Sequence, residues 1–454
     1  MADLAMRRSA AWRSGSVRRS RSVSRPRVDG VTVSSLAVAI GSCIFLQRFA
    51  IPLGTATQIP AAFVAGYLTF LWLLLRGRFN VNGHVLGLFL ATMAFMTLSV
   101  IISATRSSLL SFGYLLAIYS LYVFRLKYPA GCFSRALNIF LNMMTICALC
   151  GVAQFALQFV VDSDLVFPLD AFMPYQILLD GYNVIIPLTY ESTIMRSNGV
   201  FFLEPSFFSQ FLGLAVVIEL LGARRVTRLL VFAAAMVVCY SGTGILLVFV
   251  FLPWILMRRG NAGVLMAAVV IGIVLSLASG VLDLSTFTNR IDEFSSTESS
   301  GFARFISPFY LLHDFVINST STLLFGMGPG AIERIMKEAF IYDAYLAFDP
   351  TWIKLILEYG FFAAVLFMTF VGYALFQGTR NRMLSWAILF FYLVLGGYLL
   401  NGFLHILFVA LCAWHNRGAR VPGVSRGRAI QRMYRMHNLR LAAARRPVPA
   451  VSGG

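Results

Sequence analysis

Uncharged stretches about as long as a bilayer is thick follow one another along nearly the whole chain. A run of some twenty apolar residues in hydrocarbon must satisfy its backbone internally. A helix does this, and spans roughly 30 Å at 1.5 Å per residue. Such runs lie near 31–50, 59–75, 84–103, 109–124, 137–161, 200–222, 228–240, 245–257, 262–281, 351–376, 384–400 and 402–414, about twelve in all. Hydrophobic residues make up 59% of the 454 residues and charged ones 12%, with a mean hydropathy of +0.78. That composition excludes a soluble globular domain and predicts an all-α, polytopic membrane bundle.

The charges divide the chain. Eight arginines before residue 30 and nine after residue 416, against Asp3 and Asp29, place +15 of the net +18 in the two tails. Arginine-rich flanks on a membrane chain serve topology and anionic headgroups, and nucleic acid is not expected as a partner. Arg76 and Arg78, then Arg125, Lys127 and Arg135, then Arg224, Arg225 and Arg228, then Arg258 and Arg259, then Arg380 and Arg382 occupy every second connection, without acids. The positive-inside rule puts those loops and both tails in the cytoplasm. Arg48 and Arg106 are exceptions on the outer side.

Of the seventeen acids between the tails, fourteen fall in two outward segments, 162–199 and 282–350; Glu204, Glu219 and Glu358 are left over. The expected organisation is therefore a disordered basic arm (1–30), five spans (31–161), a first outer loop (162–199), four spans (200–281), a large outer loop with amphipathic helices (282–350), the C-terminal spans (351–414) and a basic tail (415–454). In the large loop, Ser307 is positioned to cap a helix with Pro308 at its first turn, and a second helix follows the glycines of GMGPG.

Glu204, in RSNGVFFLEPSFF, lies about two turns inside an apolar run, where a carboxylate is costly. It can take a proton from an attacking hydroxyl or orient a sugar, with Ser206 beside it and Pro205 freeing a backbone acceptor; the bland reading is a structural acid paired with Arg196. Arg196, Arg290 and Arg304 are outward guanidiniums suited to bidentate binding of phosphate, unless each pairs with a loop acid or snorkels to headgroups. His313 is either a general base or a packed histidine sharing a face with Phe309 and Val316. Ser241 and Thr243, in YSGTG, break an apolar run at its outward end, as a polar turn or a plain hairpin. Gly326, Gly328 and Gly330 have a phosphate-loop spacing but no Rossmann unit around them. The six cysteines make no metal pattern, and Cys147 and Cys150 read as packing residues; neither a metal nor a cofactor is expected.

In that order, Arg196 to Glu204-Pro205-Ser206, the Ser241 to Gly244 break, the segment from Arg304 to GMGPGA, and DPTWIKLILEYGFFAAVLF resemble the Wzy-type polysaccharide polymerases and related O-antigen ligases, nearest to xanthan-type exopolysaccharide polymerases. The resemblance spans about residues 84 to 410. It implies a bacterial inner-membrane glycosyltransferase, independent of metal and nucleotide sugar, that acts on undecaprenyl-diphosphate-linked oligosaccharides at the periplasmic face. A chain-length regulator and a flippase are implied partners. Arg196 and Arg304 would hold the diphosphate; Glu204 or His313 would handle the acceptor hydroxyl. Two departures stand out. The Ser-Gly-Thr-Gly turn lacks the arginine family members often carry there, and Asp349-Pro350-Thr351-Trp352 replaces the His-Asn pair common in the ligase branch, which favours polymerase over ligase. A ligase and a lipid-linked sugar transporter are the competing expectations.

Overall fold

A computed structural model describes residues 29–52, 58–103, 107–127, 130–161, 163–188, 192–259, 302, 305–332, 350–379 and 381–414. Both basic tails, the expected span 262–281, Arg106, Arg290, Arg304 and most of the large loop lie outside the described residues.

The described chain is mostly helical. In order the α-helices of six residues or more are α1 (Gly30–Phe45), α2 (Ala61–Leu75), α3 (Gly83–Ile102), α4 (Leu109–Ser120), α5 (Ala130–Leu157), α6 (Pro205–Leu221), α7 (Val226–Val238), α8 (Gly242–Arg259), α9 (Ser307–Leu312), α10 (Thr320–Phe325), α11 (Thr351–Tyr359), α12 (Phe361–Gly378), α13 (Arg382–Val394) and α14 (Gly402–Cys412). Among the described residues, three helices are long and apolar enough to cross a membrane: Gly83–Ile102, Gly131–Leu157 and Phe361–Gly378. Eight more apolar helices are 10–17 residues long, so the dozen full-length spans expected are not all seen as such. Their starts follow ordinary capping chemistry. Asp29 accepts from Thr32 N at 3.2 Å, Ser108 from Ser111 N at 3.3 Å, and Asn381 from Met383 N at 3.1 Å.

Two small antiparallel sheets qualify the all-α expectation. Strand β1 (Ala50–Pro52) pairs with β2 (Gln58–Pro60), and β3 (Phe79–Val81) pairs with β4 (Phe124–Leu126). They form where the chain leaves one helix for the next and its backbone still needs partners. Two ends of the bundle can therefore be distinguished. At one, Lys127 N donates to Arg78 O (3.0 Å), Leu126 N to Ala413 O (2.9 Å), Trp414 N to Gly378 O (3.0 Å), and Arg78 faces Asp29 at 3.4 Å. This end gathers basic connections. At the other, β1 and its neighbours meet the first acidic loop: Phe49 bridges Leu178, Gln58 binds Asp180, and Arg48 pairs with Asp170. The Asp170 pairing accounts for Arg48 as an exception to the charge pattern.

Helix α6 runs through the middle, buried from Pro205 to Leu220. Its Ser209 and Gly213 form a small-xxx-small face against α8: a Cβ on Gly244 would stand 1.9 Å from Ser209 O, and one on Gly213 2.6 Å from Gly244 O. Ser209 Oγ donates to Ser241 O at 3.0 Å and receives Gly244 N at 3.2 Å. The expected span 351–376 is split at Gly360 (φ 82°), where a Cβ would lie 2.2 Å from Leu324 O.

Buried acids away from the site are satisfied structurally. Glu219 takes Arg228 Nη1 at 2.9 Å and Arg225 N at 2.8 Å. Glu358 lies under the GMGPG segment, accepting from Gly330 N at 3.0 Å with Lys354 Nζ 3.7 Å away. That segment clasps the end of α11: Met327 N donates to Leu357 O and Gly328 N to Glu358 O, both at 2.9 Å, while Ser108 N donates to Pro329 O at 2.8 Å. The glycine spacing serves a close backbone approach: a Cβ on Gly326 would lie 2.4 Å from Glu358 O. The helix expected beyond it begins at Ala331; its remainder lies outside the described residues.

Candidate functional site

The stretch before α6 corrects the depth expected for Glu204. It is not two turns inside a span: Gly199 (φ 65°) and Val200 (φ 71°) make a left-handed turn, and Glu204 is the extended N-cap residue of a helix that opens with Pro205. Pro205 therefore starts the helix, where no N–H is needed, and does not break one to free a carbonyl. Gly199 is required by contact as well as conformation, since a Cβ there would sit 2.7 Å from the Phe208 ring; Gly151 on α5 meets the same ring at 2.5 Å.

A buried amide cluster clamps this turn. Gln154 Nε2 donates to Asn198 Oδ1 at 3.0 Å, and its Oε1 receives Ser197 Oγ at 2.9 Å and Asn198 N at 3.2 Å. Asn198 Oδ1 in turn receives Val200 N at 3.0 Å, so the β-branched residue is held in its unfavourable conformation. Ser197 N also reaches Val238 O at 3.1 Å, tying the turn to α7.

Fixed in this way, the Glu204 carboxylate lies at the start of α6, where aligned N–H groups favour negative charge. Its Oε2 accepts from Ser206 Oγ at 2.8 Å and its Oε1 from Asn183 N at 3.3 Å. The carboxylate is half-buried. Tyr182 lies beside it; burial, with the Glu204 charge adding, pushes that phenol up to about 12, so it stays a hydrogen-bond donor at neutral pH. The Tyr182 ring meets Phe207 edge-on at 5.8 Å, and Phe207 meets Tyr398 at 5.6 Å.

The hydroxyl turn expected at Ser241 and Thr243 joins this site. Thr243 Oγ1 donates to Ser206 O at 3.4 Å and lies 3.2 Å from Ser241 Oγ. Tyr240 takes φ 46° to make the turn between α7 and α8. Glu204, Ser206, Thr243 and Ser241 thus form one continuous polar chain across three helix ends. Arg196 is at the foot of a hairpin that precedes α6 in the chain: Arg196 N donates to Ile186 O at 2.8 Å and its Nη2 to Leu188 O at 3.0 Å, with Pro187 bridging Met195.

His313 is elsewhere. The helix from Ser307 widens into a π turn over His313–Ile317, which takes His313 off the buried face of Val316; its side chain is 66% exposed and 3.0 Å from Asp314 Oδ1. Phe309, expected on that face, is also exposed. Ser307 makes no cap bond and is itself the first helical residue, with Pro308 second. The proposed positions Arg290 and Arg304 lie outside the described residues. No group of metal-ligating side chains occurs among the described residues.

Sequence reasoning missed the floor of the site. Gln210, one turn below Ser206, receives the Tyr398 hydroxyl and donates to Leu395 O at 3.2 Å. Tyr398 belongs to the irregular link between α13 and α14, and His405 holds that link from below: its Nε2 is 3.0 Å from Tyr398 O and 3.0 Å from Tyr119 Oη, its Nδ1 2.8 Å from Tyr122 Oη. Tyr119 also touches Tyr392 Oη at 2.6 Å and donates to Leu399 O at 2.9 Å. A histidine in an apolar run was the one available signal. Compared with family models, curated proteins and solved structures, the chain matches none.

Proposed function

We propose that this chain is a membrane-embedded glycosyltransferase, a polysaccharide polymerase of the Wzy type, that joins undecaprenyl-diphosphate-linked oligosaccharide units at the periplasmic face of a bacterial inner membrane. The observation that carries the reading is Glu204: a carboxylate held by a strained, clamped turn at the mouth of the central helix, on the bundle end away from the basic loops. The positive-inside rule makes that end periplasmic and puts both chain termini in the cytoplasm.

In this reading a sugar hydroxyl of the incoming unit attacks the anomeric carbon of the growing glycan. The bond from that carbon to the diphosphate oxygen breaks, and the lipid diphosphate leaves with the electron pair. Glu204 takes the proton of the attacking hydroxyl, with Ser206 Oγ and Asn183 N orienting its two oxygens. Tyr182 offers a protonated phenol to the sugar, and Arg196 and Arg304 balance the charge that develops on the diphosphate. The Ser206–Thr243–Ser241 hydroxyls extend the polar wall along which a glycan can bind.

Asp349-Pro350-Thr351-Trp352, standing where the ligase branch has a His-Asn pair, supports the polymerase over a ligase. Gel analysis of surface glycan tests it: Glu204→Gln, which keeps the side-chain size, should remove high-mass polymer while single repeats and protein level remain. Chains of normal length from this variant would overturn the assignment.

A further inference from the structure

We propose that segment 157–177, the first connection at the site end, lies in the lipid headgroup region as an interfacial anchor and not in water. Its side chains are arranged inside out for an aqueous loop. The charged Asp170 turns inward to Arg48, which is 1% exposed. Leu179 N bonds Arg48 O at 2.8 Å and Gln154 Nε2 reaches Val166 O at 3.3 Å, so the segment is pinned from beneath. Val166 and Phe167 are buried and anchor the segment, while its other large apolar side chains face out: Val160 is 84% exposed, Phe172 69% and Tyr175 71%, and Leu165 is exposed too. A large exposed apolar patch marks a contact with something other than water.

Continuity identifies lipid as what covers it. On α5, exposed Ile146, Leu149, Ala153 and Leu157 recur at helical spacing and lead directly into Val160. The apolar helix Gly131–Leu157 has 27 residues. At 1.5 Å each it is about 40 Å long against a hydrocarbon core of about 30 Å, so its end emerges at headgroup level. Tyr175 has the make-up of an interfacial aromatic: its ring is exposed, and a hydrogen bond to Asp180 pushes its phenol above the ordinary value.

The inference depends on the membrane reading and not on the glycosyltransferase assignment. A nitroxide attached at Phe172→Cys, and separately at Val160→Cys, tests it in the full chain in vesicles of phosphatidylethanolamine and phosphatidylglycerol, with the unsubstituted chain as background. Thr193→Cys, on the exposed hairpin, is the aqueous reference. The ratio of oxygen to nickel-chelate accessibility should be several-fold higher at 172 and 160 than at 193. Equal ratios at all three would mean that the segment stands in water. Low accessibility to both reagents, with an immobilised label, would mean that protein covers it, as in association of two copies. Either result overturns the proposal.

Discussion

Val200 and Gly244 show how individual residues hold the site. A β-branched residue at φ 71° is strained, and the Gln154–Asn198 clamp keeps it there. Val200→Gly should therefore raise the unfolding midpoint in detergent, by the equivalent of about 1 kcal/mol, while loosening the turn that presents Glu204. Polymer length in the same variant should fall. Gly244→Ala drives a methyl into the Ser209 carbonyl and should cost about 3 kcal/mol. Gly372→Ala, in α12 where an added Cβ meets nothing within 4 Å, should stabilise by about 0.5 kcal/mol. Thermal unfolding of the pair checks the opposite signs.

Between elements, buried polar contacts fix which helices meet and how. Tyr119 joins α4 to α13, to α14 and to the link between them through three partners on its hydroxyl. Tyr119→Phe leaves those groups short of a partner in a water-free interior and should cost about 1–3 kcal/mol by the same measurement. Glu219 and Arg228 tie α6 to α7 at the basic end, and Arg228 continues to Asn142 on α5 at 2.7 Å. Arg228→Met should destabilise by about 3–5 kcal/mol because it strands a buried carboxylate, whereas replacing both partners with apolar residues should restore most of the loss.

The same element scale explains what could be read from the sequence. Glu204, Ser206, Ser241 and Thr243 stand out because each interrupts an apolar run, and the fold brings all four together. Tyr182, Gln154, Asn198, Gln210 and Tyr398 are unremarkable in sequence; their meaning arises only when separate segments come into contact, 44 residues apart for Gln154 and Asn198 and 188 for Tyr398 and Gln210. The helix break at Gly360 falls within a stretch long enough to read as one span, and strands of three residues are too short to show an alternating pattern. His313 was placed on a regular helical face, which the π turn removed.

At the scale of the molecule, basic connections collect at one end, and acid-rich sequence, hairpin and carboxylate site at the other. Under the proposed function, that polarity has the site act on a substrate presented at this end. Full-length protein in lipid vesicles, supplied with an undecaprenyl-diphosphate-linked repeat unit and followed by gel, examines this directly. The wild-type chain should yield a ladder of longer lipid-linked glycans, and Glu204→Gln should leave the unit unextended. A ladder of equal length from both proteins would contradict the role given to Glu204, and an unextended unit with the wild-type chain would contradict the polymerase itself.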